Sequence, residues 1–551
     1  MRQTTLCVPL EVKPESCSRL TALLEELRVG EETGPRAVPQ KYAALAREVP
    51  TLHFMSMSVF TSAAYDPIFV MEANFDGSPS VFWGQMEAAF GERLRSVLRC
   101  CKRPLDEDGP LYDSVTSQEP VPIAPYFEAR TQKPSAFHQG NRGLTRDRIL
   151  REARLFDAVR AELDGPVGAG PSPYRGIEPV AVHARLKQQM VTEHPWLNEP
   201  WEKRLTFGER IRDFVRLLAF AVLLLLVLSA PGIVLSVMLP PWHYLAAILI
   251  VAMAAVAIVF SKRKPLGDTG VADDFSLLGF LARSWLLIAG ILLAYVVVAT
   301  VVLAPVVWGL GYVLEFVRLV GHAPDLQTVF AAIARAVLLG FLSLAATVPF
   351  LVLWLRYIER RDSSHDAPEA NEHLLREMIR REDWIVQNHM GSLVLVKPGV
   401  LRTLLVRVGH LGLGLLVRAK ATNGYLGNMR TIHFAHWAFL NNGSRLLFFS
   451  NFDHSWDSYL DDFIEKAHTG LTMAWTCSVG FPATRFLIYD GATQGRQFKN
   501  WGLATRTVSR FWYSAYPQLA VNQIERNTRI ASGLAAQALT DKEAREWMRD
   551  L

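Results

Sequence analysis

The chain has 551 residues, half of them hydrophobic, and a formal net charge of only +5. Its five cysteines follow no metal-ligand spacing, which argues against a zinc module and against a disulfide framework. Much of the positive excess lies beside long apolar stretches. This placement favours lipid headgroups as its partner and argues against nucleic acid.

Residues 1–163 predict a soluble α+β unit. Leu52 to Phe60 is rich in apolar and β-branched residues, which is typical of a strand, and Tyr65-Asp66-Pro67 predicts a turn. Asn74-Phe75-Asp76-Gly77-Ser78 predicts the end of the next strand and the start of a helix. A last helix is expected over residues 144–163, followed by a linker and juxtamembrane segment over 164–213.

Residues 214–355 predict a four-helix transmembrane domain. Four apolar stretches of about 19 to 26 residues lie at 214–239, 242–260, 285–307 and 336–355. At about 1.5 Å per residue, each is long enough to cross a hydrocarbon layer of about 30 Å. The sequence therefore predicts an integral membrane protein in contact with membrane lipids. Few ionisable residues lie within these stretches, which argues against an ion pump.

Basic residues predict the orientation. Basic residues lie at the entry to the first stretch (Lys203, Arg204, Arg210, Arg212 and Arg216), after the second (Lys262 to Lys264) and after the fourth (Arg356, Arg360 and Arg361). The positive-inside rule places these segments in the cytoplasm. With four crossings, both termini are expected to be cytoplasmic.

The second soluble segment repeats features of the first. Residues 356–420 predict a charged tether and an amphipathic segment, which either lies in the headgroup region or packs against a domain. Within residues 421–551, Thr431-Ile432-His433-Phe434 matches Thr51-Leu52-His53-Phe54, and Asn451-Phe452-Asp453 matches Asn74-Phe75-Asp76. Cys477 also falls against Cys100. Matches in the same order across about a hundred residues indicate an internal duplication.

The order of elements in each copy predicts a ferredoxin-like α+β sandwich, in which helices cover one face of an antiparallel sheet. The fold class is therefore α+β plus transmembrane helices, with two ferredoxin-like repeats flanking a four-helix membrane region. This pattern resembles the dimeric α/β-barrel superfamily, which includes the dye-decolourising haem peroxidases. The resemblance implies that the two repeats face each other and enclose a pocket for haem or a small apolar ligand.

Candidate site residues follow from this resemblance. Dye-decolourising peroxidases carry a Gly-x-x-Asp-Gly motif whose aspartate acts on peroxide. Asp76-Gly77 matches its second half, while Ala73 replaces the first glycine, and Asp453 is followed by His454. The resemblance thus implies catalytic Asp76 and Asp453; the alternative is that both carboxylates bind backbone N–H groups at a helix start.

Histidines are the candidates for binding haem iron. His433, His454 and His468 are the possible axial ligands. Strand alternation predicts that His433 shares a face with Ala435 and Trp437, and that His436 lies on the opposite face.

Three functions fit these observations. One is a peroxidase-like oxidoreductase, and another is a non-catalytic sensory or binding module tethered to the membrane. The last is a scaffold or channel, in which a homo-oligomer would bring several sets of spans together. The repeated residues are mostly apolar or turn-forming, which favours binding over catalysis.

Overall fold

The computed structural model describes residues 3–33, 40–41, 43–62, 65–119, 121–165, 172–261, 277–317, 322, 325–362, 369–382, 386–420, 426 and 429–551. Lys262, Arg263 and Lys264, which contribute to the predicted orientation, lie outside these residues.

Thirteen strands are present in the described residues: β1 Gln3–Glu11, β2 Glu32–Thr33, β3 Gln40–Lys41, β4 Leu52–Ser62, β5 Tyr65–Asp76, β6 Ala136–Gln139, β7 Gln387–Leu395, β8 Ile432–Leu440, β9 Arg445–Asp453, β10 Thr484–Arg485, β11 Tyr489–Asp490, β12 Arg506–Thr507 and β13 Ser509–Ser514.

The α-helices of the described residues fall into three groups along the chain. The first soluble segment contains α1 Cys17–Glu31, α2 Ala43–Glu48, α3 Pro79–Arg99, α4 Gly109–Thr116, α5 Ala124–Ala129, α6 Arg146–Asp164 and α7 Pro179–Glu193. The apolar region contains α8 Phe207–Met238, α9 Pro241–Ser261, α10 Leu277–Phe316, α11 Leu326–Leu342 and α12 Leu344–Arg360. The second soluble segment contains α13 Glu372–Glu382, α14 Val400–Lys420, α15 Trp456–Trp475, α16 Gly495–Thr505, α17 Val521–Ala535 and α18 Asp541–Trp547.

Two antiparallel sheets form the centre of the soluble part, so the chain is a mixed α+β protein. The first sheet has the order β1-β5-β4-β13, and the second has the order β12-β7-β9-β8-β6. The sequence predicts both central hairpins, β4–β5 and β8–β9, because their strands are apolar and end at turn residues. Their apolar outer faces pack against helices, chiefly α1 and α3 on the first sheet and α14, α15 and α16 on the second.

Each sheet takes its last strand from the other soluble segment. β13 of the second segment pairs with β4, and β6 of the first segment pairs with β8. Just before β13, the same stretch of chain pairs with β7 through β12. Just before β6, Gln132 exchanges two backbone hydrogen bonds with Cys7 of β1, at 3.3 and 2.8 Å. The strand pairing therefore closes on itself as a barrel built from both segments.

The interior of this barrel has an apolar end and a polar layer. The apolar end contains Phe60, Val70, Leu393, Leu447 and Phe449, all buried. The polar layer contains histidines and carboxylates from strands of both sheets, which are equally buried. Buried polar groups are stable only when they are paired, so their partners define the candidate site.

The apolar region contains long helices compatible with a membrane protein. By length and composition, four helices among the described residues could cross a membrane: Phe207–Met238, Ala289–Phe316, Leu326–Arg360 and Val400–Lys420. The first three correspond to the first, third and fourth predicted spans. The second predicted span falls on α9, of which Pro241–Ala255 counts as a shorter apolar helix. The hydroxyl groups of Tyr295 in α10 and Ser229 in α8 are hydrogen-bonded at 2.6 Å, within a core that also includes residues of α11.

The segment 356–420 has more structure than the predicted tether. β7 is an inner strand of the second sheet, and α14 packs on that sheet and on α8. Packing against a domain is one of the two expected placements of the amphipathic segment. Arg402 is buried and paired with Asp362 at 3.2 Å.

Candidate functional site

The aspartates Asp76 and Asp453 occupy equivalent places at the ends of β5 and β9. Asp453 lies 2.7 Å from Nε2 of His433, and Asp76 lies 3.2 Å from Nε2 of His53. All four side chains are almost completely buried. The structure therefore brings each predicted aspartate together with a histidine of the preceding strand.

These aspartates also bind the start of a helix, but not the helix that follows them in sequence. Oδ2 of Asp76 accepts the N–H of Arg146 at the start of α6, at 2.8 Å. Oδ2 of Asp453 accepts the N–H of Val521 at the start of α17, also at 2.8 Å. A carboxylate is stabilising there because the first N–H groups of a helix have no intrahelical partner.

The alternation that predicts the histidine faces is wrong, because both strands contain a β-bulge. The register shifts between Leu52 and Phe54 and again between Ile432 and Phe434. An extra residue in one strand re-aims the side chains on either side of it. His433 consequently points into the barrel, away from the helix-side core of Ala435 and Trp437. His436 points into the barrel as well.

Tyr516 extends the first histidine–aspartate pair. Its hydroxyl lies 2.9 Å from Nδ1 of His53, and the ring packs edge-on against Phe54. Burial raises the pKa of Tyr516 well above its ordinary value, and the nearby Asp76 charge adds to the effect. The hydroxyl therefore stays protonated. His53 is hydrogen-bonded to Tyr516 on one side and lies within ion-pair distance of Asp76 on the other.

A second cluster surrounds Glu72 in β5. Its carboxylate lies 3.2 Å from Nε2 of His389 and 3.5 Å from Nδ1 of His436, and it accepts from Ser56 and Asn74. Burial by itself raises the pKa of Glu72, but the two histidines outweigh it and hold that pKa well below its usual range. The cluster thus favours the ionised carboxylate inside the barrel.

The three histidines predicted to bind haem do not fit a haem site. Nε2 of His433 is occupied by Asp453, and its ring is packed near Phe54 and Tyr516. His454 is exposed at the start of α15. His468 is partly buried on the same helix, with Nδ1 3.1 Å from the carbonyl of Ile464. None of them lines the two cavities described below, and no cluster of three metal-binding side chains occurs in the part of the chain that the structure describes.

Two cavities lined by described residues lie outside the barrel. A depression of about 400 Å³ lies on the surface between α17 and α18, and a void of about 20 Å³ lies under the second sheet beside Trp456. The smaller is about the size needed for one water molecule. Neither is lined by Asp76, Asp453 or their histidines.

Buried carboxylates also bind the apolar helices to the barrel. Asp213 near the start of α8 lies 2.6 Å from Arg142 and 3.3 Å from Arg418. Arg142 follows β6, and Arg418 lies in the last turn of α14. The start of the first apolar helix is therefore bonded to the place where the first segment joins the second sheet.

Glu359 makes the corresponding connection at the end of α12. Its carboxylate accepts the N–H groups of Phe486 and Leu487 at 2.9 and 2.8 Å, and the hydroxyl of Thr484 at 3.0 Å. Arg356, one turn earlier, lies 3.0 Å away and also donates to the Thr484 carbonyl. These groups are buried.

The loop that Glu359 binds has an unfavourable backbone. Phe486 and Leu487 have φ values of 58° and 61°, in the left-handed region. Non-glycine residues cost about 1–2 kcal/mol each in that region. The carboxylate offsets this cost, since it binds two N–H groups that point in the same direction.

No protein-family model matches the chain, and no curated protein matches it either.

Three buried carboxylates that the sequence patterns do not identify as site residues nevertheless have distinctive positions in the sequence. Glu72 is an acid within an apolar strand, on the same alternating face as Asn74 and Asp76. Glu359 follows the last apolar stretch directly, and Asp213 is an acid among the arginines before the first.

Proposed function

We propose that the chain is a membrane-anchored, non-catalytic coupling protein. Two ferredoxin-like units form one barrel on the cytoplasmic side, and the barrel responds to changes in the packing of the membrane helices. The observation that carries the proposal is the pair of buried carboxylates, Asp213 and Glu359. They bond the first and last membrane helices to two separate places on the barrel.

Repeated contacts support the duplicated ferredoxin-like units. Gln3 in β1 donates to the carbonyl of Leu144 at 2.7 Å, and Gln387 in β7 donates to that of Leu519 at 2.6 Å. The N–H of Lys13 donates to the Cys100 carbonyl, as that of Lys397 does to Cys477. Both units share the order strand, helix, strand, strand, helix, and each closes with a strand exchanged with its neighbour.

The exchanged strands support a location on one side of the membrane. β6 and β13 each complete a sheet that belongs mostly to the other segment. Two segments on opposite sides of a bilayer could not pair in this way. An even number of crossings follows, through α8, α9, α10 and the pair α11–α12. The basic residues beside the spans favour the cytoplasm as that side.

The interior of the barrel supports a structural role for the predicted catalytic residues. An oxidoreductase needs its substrate to reach Asp76 or Asp453. Both lie in a packed interior, each beside a histidine and with Oδ2 bound to a helix start. Buried polar networks of this kind fix a single arrangement of the core. Membrane lipids are the partner that the proposal requires.

Coupling can be tested by disturbing the membrane helices and observing the barrel. Gly232 in α8 packs closely on α11 and α12, and a Cβ there would lie 2.0 Å from Oγ of Ser343. Gly232→Val should therefore separate these helices, as bulky side chains do at close helix crossings. The readout is hydrogen exchange of the Phe486 and Leu487 amides in the full chain in lipid nanodiscs.

We expect faster exchange of these two amides in Gly232→Val, although they lie outside the membrane. Gly290→Val in α10 is the matched control, because a Cβ there meets nothing within 4 Å. A Gly232→Val protein with loosened membrane helices and unchanged exchange in this loop would refute coupling.

A further inference from the structure

α14 has the composition of a membrane span but the wrong position in the fold to be one. Val400–Lys420 is long and apolar enough to cross a bilayer. The strands on either side of it, β7 and β8, both pair with β9 in one sheet. A helix that crossed the membrane would leave these strands on opposite sides. α14 must therefore stay on the barrel side.

The outward face of α14 is apolar apart from the exposed Arg407, whose guanidinium donates to the carbonyl of Asn442 at 2.6 Å. Val400, Leu404 and Leu411 are 88, 57 and 52 % exposed. Their spacing of four and seven residues places them along one side of the helix. Arg402 and His410 are buried on another side, against Asp362 and the second sheet.

The corresponding helix of the first unit has a different surface. α1 follows β1 as α14 follows β7, and it packs on the first sheet. Its exposed positions include Ser18, Arg19, Ala22 and Glu26, which is an ordinary water-facing surface. Two helices at the same place in related units thus present a polar face in one case and an apolar face in the other.

Its neighbours indicate what covers α14. Arg402 is bonded to Asp362, two residues beyond the end of α12. Gly412 lies against Phe220 of α8, so close that a Cβ would be 2.9 Å from the ring. Between Arg402 and Gly412, α14 is therefore held between the first and last spans. α8 continues the exposed apolar surface with Phe214 and Leu223.

We infer that α14 lies along the membrane surface, with the face of Val400, Leu404 and Leu411 in the boundary between headgroups and acyl chains. Lipid is the partner of this face. Apolar helices with charged flanks bind bilayers in this manner, and buried apolar area is the main source of their affinity. The inference rests on the proposed anchoring of the chain through α8.

Spin labels test this placement in the full chain. Leu404→Cys and Leu411→Cys are labelled in a Cys17→Ser background, since the other four native cysteines are buried. The protein is reconstituted in vesicles of phosphatidylcholine and phosphatidylglycerol. Collision of each label with oxygen, which concentrates in lipid, is compared with collision with a water-soluble nickel complex. Ala22→Cys on α1 is the water-facing control, and Val227→Cys on α8 is the lipid-facing control.

We expect the oxygen-to-nickel ratio at Leu404 and Leu411 to be several-fold above that at Ala22 and close to that at Val227. A ratio equal to that at Ala22 would overturn the inference. Low collision with both reagents would overturn it too, because a protein partner would then cover the face. A water-like ratio at Val227 would instead refute the anchoring itself, which separates the two failures.

Discussion

The bond between Glu359 and the 484–487 loop gives the sharpest test of how the membrane helices hold the barrel. Glu359→Gln keeps the shape of the side chain but removes its charge, and its amide group faces backbone N–H donors. Arg356 is left buried without its carboxylate partner. Breaking one partner of a buried ion pair costs about 3–5 kcal/mol. The left-handed residues Phe486 and Leu487 add to the tendency of the loop to open.

Hydrogen exchange of the peptide that covers this loop measures the effect locally. A loss of about 3 kcal/mol corresponds to exchange roughly a hundredfold faster or more, because each 1.4 kcal/mol is a factor of ten. Glu372→Gln is the matched control. That side chain is 85 % exposed and forms only a helical surface pair with Arg376 at 3.4 Å, so its loss costs at most about 0.5 kcal/mol. Equal exchange in the two variants would show that Glu359 does not hold the loop.

Three further predictions concern the barrel interior and the histidines expected to bind haem. Asp76→Asn and Asp453→Asn should each destabilise the protein by about 2–4 kcal/mol, because each removes a buried charge from a helix start and a histidine. Thermal unfolding checks this, with the exposed Asp457→Asn as control. A loss of stability in only one of the two variants would contradict their equivalent roles. Burial lowers the pKa of His138 in β6 from 6.5 to about 4. Between these pH values the unfolded chain takes up a proton at this histidine and the folded chain does not. The free energy of unfolding should therefore fall by up to about 3 kcal/mol as the pH decreases through this range. In His138→Leu, the free energy of unfolding should differ less between pH 7 and pH 5 than in the unsubstituted protein. An unchanged difference would disprove this assignment. Any Soret band of the purified protein mixed with haem should persist in His433→Ala, His454→Ala and His468→Ala. A band abolished by one of these substitutions would restore the peroxidase hypothesis.

Local sequence patterns predict the hairpins and the apolar helices well. The β4–β5 and β8–β9 strands are apolar runs bounded by turns, and α8 and α10 are apolar on all sides. The exchange of strands has no such local signal. β6 has four residues, and its partner β8 lies about three hundred residues later, so only the packing of the whole barrel selects that pairing.

The candidate site was predictable in part. The repeated Asn-Phe-Asp sequence identifies Asp76 and Asp453 as equivalent, but it does not indicate that they bind the starts of α6 and α17. The two β-bulges have no distinctive residue, so simple alternation places His433 and His436 on opposite faces. α14 combines apolar residues with arginines, and only its place between β7 and β8 shows that it cannot cross the membrane.

A disulfide between the two soluble segments tests most directly that they form one barrel. Ser58 of β4 and Ser509 of β13 are paired residues with their hydroxyl oxygens 3.2 Å apart. In native membranes, the Ser58→Cys/Ser509→Cys protein should form an intramolecular disulfide, identified as a cross-linked peptide that neither single variant yields. Reduced cysteines under the same oxidising conditions, in a protein that is otherwise folded, would contradict strand exchange and with it a single barrel on one side of the membrane.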